Sequence, residues 1–196
     1  MAVARATATQ GHLVAALLVP IALLCLSPAR GAAEDIARGS GFGDLKWGDT
    51  VDRARQLYSD LRFDGYRLGR PKEEPFRAYV RERASGRVDG VRFDSLEYWF
   101  RGDRFEEIHA VLQSRIGPRT LVTEAERSYE ALAERFRRAY GVPGEQTVKY
   151  VSEYLAVVKE TTWERRGVTV HLRYNGAQQG DVDRLTLEMG RKGGAP

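Results

Sequence analysis

The chain has 196 residues, 42% hydrophobic and 30% charged, with a formal net charge of +4 and one cysteine. That length supports one domain with a true core and leaves little room for two. The lone Cys25 lies in the apolar leading segment, so once that segment is removed thiol catalysis, disulfide stapling and cysteine-ligated zinc all drop out.

The first 33 residues read as a signal peptide. Arg5 precedes an apolar run from Leu13 to Leu26, which contains Pro20 and ends at Ser27-Pro28 before the small residues ARGAA. A spanning helix needs about 20 apolar residues, so the run reads as an address and the mature chain carries no membrane span. Small residues offer cleavage sites between Gly31 and Ala33, and we place the new terminus at Glu34. Cys25 could be a lipid attachment site, but Leu23 and Leu24 stand where that motif needs a small residue. Arg5 and Arg30 leave with the signal and no acid does, so the exported chain carries +2. An exported chain of that charge has no electrostatic motive to bind nucleic acid. The expected location is the periplasm or the exterior.

Residues 34–43 (EDIARGSGFG) read as a flexible lead-in to an ordered domain over 44–189, with 190–196 a disordered tail. Val51, Ala54, Leu57, Tyr58 and Leu61 recur at helical spacing and predict a helix over 50–60, capped by Asp49 or Thr50. Phe76, Ala78 and Val80 alternate with Arg77, Tyr79 and Arg81, predicting a strand that turns at Ala84-Ser85-Gly86. The segment DSLEYWFRGDRFEEIHAVLQS predicts a hairpin about Gly102-Asp103. Its simplest register sets Phe100 opposite Phe105, Tyr98 opposite Glu107 and Leu96 opposite His109, with Trp99, Ile108, Ala110 and Leu112 on the other face.

Thr123-Glu124-Ala125-Glu126 matches a capping box. The helix it opens carries Ala125, Tyr129, Leu132, Phe136 and Tyr140 on one face and stops at Gly141 and Pro143. Residues 150–158 fit a helical period, but the β-branched run AVVKETTW predicts a strand from about Leu155 to Trp163. Val168 to Tyr174 alternate as a strand, and Leu185, Leu187 and Met189 mark a last one. The fold class is therefore α+β, a mainly antiparallel sheet with two principal helices. The order of helix and then strands recurs near 46–113 and 121–189, hinting at a duplicated unit.

LKWGDTVDRARQLY, EYWFRGDRFEEIHAVL and FRRAYGVPG together resemble a loose class of small exported bacterial proteins of unknown function. In that class a Trp-Gly step opens a short helix, an aromatic hairpin follows, and a second helix ends in Y-G-x-P. More distantly, the twice-used unit is similar to the β-lactamase inhibitory proteins. The resemblance implies a fold and, by analogy alone, an inhibitor of a secreted enzyme.

For chemistry, Glu106-Glu107 is a carboxylate pair of the kind glycoside hydrolysis needs, but neighbours on a strand point to opposite faces, so these two cannot serve one site. Tyr98, Glu107 and His109 fall on one face of the predicted register, an arrangement in which a carboxylate orients an imidazole for acid/base work. His109 and His171 with a carboxylate would suit zinc, though no spacing enforces it. Asp181-x-Asp183 lacks the glycine and distal glutamate of a calcium loop and reads as a turn with a solvated acid. Arg101-Gly102-Asp103 matches an adhesion tripeptide that a turn already explains. No P-loop, dinucleotide fingerprint or serine-hydrolase elbow occurs, so no cofactor or metal is expected. Trp47, Trp99 and Trp163, interleaved with arginine, are the candidate contact residues. The expectation is a non-catalytic module that binds an envelope protein or glycan. The alternative is an envelope-polymer hydrolase using Glu107 and His109.

Overall fold

The computed structural model describes residues 40–68, 74–82, 86–116, 122–151, 156–176 and 182–191. The signal segment, Cys25, Ala84-Ser85, Tyr154-Leu155, Asp181 and most of the C-terminal tail lie outside them. Chain order is β1 (Gly41–Phe42), β2 (Leu45–Lys46), α1 (Val51–Leu57), β3 (Leu61–Arg67), β4 (Phe76–Arg81), β5 (Gly86–Val88), β6 (Val91–Phe93), β7 (Ser95–Arg101) and β8 (Arg104–Arg115). There follow α2 (Glu124–Tyr140), β9 (Glu145–Val151), β10 (Ala156–Arg165), β11 (Val168–Gly176) and β12 (Val182–Arg191). The fold is α+β, with two helices among the described residues.

Eight strands form one antiparallel sheet in the order β3-β4-β7-β8-β12-β11-β10-β9. Each half of that order is a helix followed by a meander, and the last strands of the two halves, β8 and β12, pair at the centre. The duplicated pattern in the sequence is thus a two-fold pseudo-symmetric sheet, with β3 and β9 outermost among the described strands.

All described elements outside the sheet pack on one face. There α2 buries Ala125, Tyr129, Leu132, Ala133 and Phe136 on the strands that carry Leu172, Leu185, Leu187 and Trp163, while α1 buries Val51 and Ala54 in the same core. Their apolar stripes explain the seating, since a helix face that lacked a partner sheet would leave those side chains in water. At the start of α2 the Thr123 hydroxyl accepts from the Glu126 amide. The Glu126 carboxylate does not complete the capping box; it joins Glu130 on the Lys159 ammonium, at 3.1 and 2.6 Å.

Several expectations need correction. The helix α1 stops at Leu57, because Tyr58 leaves helical geometry and the chain turns directly into β3. Order begins before residue 44: Phe42 is buried against the Tyr98 ring, and a side chain on Gly41 would strike the Leu45 carbonyl. At the other end, Gly190 and Arg191 belong to β12 rather than to a tail. Residues 86–93 form a hairpin about Asp89-Gly90, both at positive φ, as a tight two-residue turn requires. Asp183 is not solvated. It is 2% exposed within β12 and accepts from the Thr123 hydroxyl at 2.5 Å and the Tyr174 hydroxyl at 2.7 Å.

Among the described residues no helix is long and apolar enough to cross a membrane.

Candidate functional site on the open sheet face

The face of the sheet opposite the helices carries the polar chemistry, and a β-bulge decides which residues meet there. Between Trp99 and Phe100 the β7–β8 register shifts, so Phe100 faces Phe105 as expected but Tyr98 faces Ile108 and Trp99 faces Glu107. One extra residue, Glu106, sits in the bulge. The predicted cluster therefore loses Tyr98, which is 3% exposed on the helix side with its phenol pKa pushed up by burial. In its place Trp99 joins Glu107 and His109.

The bulge also removes the objection to the carboxylate pair. Arg101 lies over the Phe76 ring on the open face and reaches Glu106 at 3.3 Å, while Glu107 reaches His109 on the same face. Glu106 and Glu107 are neighbours in sequence and share a side of the sheet, because a bulged strand suspends the strict alternation.

The centre of the site is an indole lying flat on an imidazole. Ring centroids of Trp99 and His109 are 3.4 Å apart and the planes 15° from parallel. The His109 Nε2 is 2.8 Å from a Glu107 oxygen, and its Nδ1 faces Glu188 at 3.9 Å. Glu188 in turn faces His171 Nδ1 at 3.7 Å. The sequence could not say whether the two histidines meet; the β8–β12–β11 pairing brings both to one carboxylate.

These groups lie along a single cross-strand row. Glu97 pairs with His109, His109 with Glu188, Glu188 with His171 and His171 with Thr162, so acid and imidazole alternate over the middle of the sheet. Directly opposed residues in antiparallel strands sit about 5 Å apart, within reach of one another's side chains. Glu188 holds the His171 pKa above its ordinary value, with partial burial opposing, Glu160 adding and Arg173 subtracting. His171 in turn holds the Glu188 carboxyl below the usual range, against burial and with help from His109.

The row is held at its first end by Glu97, whose carboxylate accepts from the Trp99 indole N–H at 2.7 Å and from Arg67 at 3.0 Å through both Nε and Nη2. Gly190, directly opposite Glu107, is a second positioning feature. A Cβ there would lie 2.7 Å from Glu107 Cγ, so only glycine lets that side chain lie across β12 and reach His109.

Glu188, Glu97, Arg67 and Gly190 were not legible as site residues. Glu188 had a weak signal in the alternation of β12, where it falls on the polar side between Leu187 and Met189.

Two of the three candidate tryptophans point away from this face. Trp163, 1% exposed, packs on Phe136 beneath α2. Trp47 stacks on Phe105 at 4.7 Å on the helix side, where Gly48 and Asp49 exchange backbone hydrogen bonds with Phe105. Neither indole N–H meets an acceptor among the described residues. The adhesion-like tripeptide is spent on structure: Arg101 pairs with Glu106, Gly102 takes φ +58 in the turn, and Asp103 accepts from the Val51 amide and faces Arg77.

Among the described residues no group of three His, Cys, Asp or Glu side chains is arranged to hold a metal ion. A cleft of about 140 Å³ lies away from the row, against Arg81, Tyr98, Asp94 and Leu96. Its arginine is already engaged by Asp60 at 3.0 Å and lies over the Tyr58 ring. That volume is below the roughly 300 Å³ at which small-molecule pockets begin. Comparisons with protein-family models, curated proteins and solved structures find no match for this chain.

Proposed function

We propose that the protein is an exported, periplasmic binding module that engages an envelope protein or glycan through the open sheet face, around Trp99, His109, Glu107, Glu188 and His171. The observation that carries this reading is the Trp99–His109 stack, set among carboxylates on the one sheet face that no described element covers. Rigid aromatic surface flanked by charge is the composition that contact sites use. Charged groups in a row already paired with one another need little reordering when a partner arrives.

The test is retention. Immobilised chain is incubated with a soluble envelope extract, in parallel with Trp99→Ala and His109→Ala variants and with a Val142→Ala control remote from the row. The expected result is one protein or glycan held by the wild type and the control and lost from both row variants. Equal retention by all four would refute the reading.

A second reading keeps hydrolysis of an envelope polymer, supported by the 2.8 Å contact between Glu107 and His109 and by Glu106 on the same face. In it, Glu107 orients the imidazole as the acid/base group. Turnover of peptidoglycan fragments that disappears in Glu107→Gln would favour it over the binding module. The tandem topology is what an inhibitor of a secreted enzyme, the fold-level analogy, would rest on.

A further inference from the structure

The two outer strands are equivalent under the pseudo-two-fold axis of the sheet, yet only one carries a bulge. In β3 the register breaks between Phe63 and Gly65, Gly65 takes φ +114, and Arg67 is tied to Asp64 and Glu97. A bulge on an outer strand is one of the devices by which natural sheets prevent edge-to-edge pairing. The other edge, β9, lacks such a break: it pairs with β10 without a register shift from Glu145 to Val151. Its described side chains are exposed on both faces except Thr147, which is half-buried, and they include Val148 at 47% and Tyr150 at 75% exposure.

We infer that β9 pairs antiparallel with β9 of a second copy of this chain, about a two-fold axis through Thr147, joining two sheets edge to edge. A two-fold axis perpendicular to the sheet must pass through a residue opposed to itself, which leaves few registers. Centred on Thr147, the pairing sets Glu145 opposite Lys149 of the partner and, by symmetry, Lys149 opposite the partner's Glu145. Neither side chain is engaged by another described residue, so both are available for this contact. The same register sets Tyr150 opposite the partner's Gly144, where an aromatic ring covers backbone that a glycine leaves bare, and Thr147 opposite Thr147. Centred on Val148, Lys149 would face threonine and Glu145 would face Val151. Centred on Lys149, the two ammonium groups would oppose each other, which is destabilising. Charge complementarity therefore selects the first register and the second copy as occupant. Pairing of one short edge falls short of the roughly 1,200 Å² of a standard interface, so the dimer is weak and concentration-dependent.

The test is sedimentation velocity of the full chain from about 1 μM to about 1 mM, a span that brackets weak association. The expected result is a monomer–dimer equilibrium. Lys149→Glu and Glu145→Lys each weaken it about tenfold, since two symmetry-related pairs become repulsive, and the double charge swap restores it. In a Cys25→Ser background, Thr147→Cys forms an intermolecular disulfide faster than Val148→Cys. A monomer throughout the range, single variants that associate like the wild type, or a double swap that fails to restore association would each overturn the inference. All four positions are on the exposed edge, and an unchanged circular dichroism spectrum verifies that the variants fold.

Discussion

The two faces of the sheet use the same strands for opposite ends. On the helix side, Phe100, Phe105, Ile108, Leu172, Leu185, Leu187 and Met189 are fully buried beneath two amphipathic helices. On the other side, the residues one position along the same strands, Trp99, His109, His171 and Glu188, stay partly in water and bind one another. Alternation assigns successive residues to the two faces. The helix face fixes the fold by burial, and the open face keeps its polar side chains in contact with water. Variants on the two faces should separate stability from binding.

The largest effect is expected on the helix face. Phe136→Ala leaves a void between Trp163 and Tyr140 and should cost about 3–5 kcal/mol in chemical denaturation. Next comes Thr123→Val, which removes both the cap of α2 and a donor to the buried Asp183, a loss of about 2–3 kcal/mol. Trp99→Ala should cost clearly less than Phe136→Ala in the same assay, because the indole is only partly buried, while abolishing retention of the partner. If its cost matched that of Phe136→Ala, the open face would be core.

Gly190→Ala should act more locally still. The added carbon pushes Glu107 off His109, so the His109 ring resonances move in an imidazole NMR spectrum while stability falls by only about 1 kcal/mol. Unmoved resonances would show that Glu107 reaches His109 by another route.

The smallest effect is a pH dependence. His171 has a raised pKa in the folded state, so its contribution is fully present below the ordinary histidine value of about 6.5 and fades as pH rises through the raised one. Glu188 has a lowered pKa, so its contribution is present above the ordinary carboxylate range near 4.3 and fades as pH falls through the lowered one. The pair thus contributes most between roughly pH 5 and 6. The stability gap between wild type and His171→Gln should peak there and shrink toward pH 9, staying small because solvent screens both groups. A gap that grew with rising pH would reverse the assignment.

Strong periodicity made much of the fold readable. The stripe on α2, its Thr123 cap and Gly141 stop, and the alternation of β11 all follow from burial on one side only. The two outer strands were missed for the complementary reason. With β9 wet on both faces and β3 interrupted at Asp64-Gly65, neither shows the alternation that a half-buried strand must have. The Asp89-Gly90 turn was present in the letters, but its flanking strands of three residues are too short to announce themselves.

The candidate site was half legible. Glu107 and His109 are two apart on one strand, and local spacing suffices to pair them. A single bulged residue exchanged Tyr98 for Trp99 as their neighbour, and no local pattern marks which position a hairpin will bulge. Glu188 and His171 join only through strand pairing across the centre of the sheet, a contact made by topology.

Whether the open face around Trp99 is the contact surface can be read from acrylamide quenching of a chain that retains Trp99 as its one tryptophan. Trp47→Phe and Trp163→Phe supply that background, and the partner is the species retained from the envelope extract. Trp99 should be quenched in the free chain and shielded once the partner is bound. Fluorescence as protected without partner as with it, or quenching that the bound partner leaves unchanged, would contradict it.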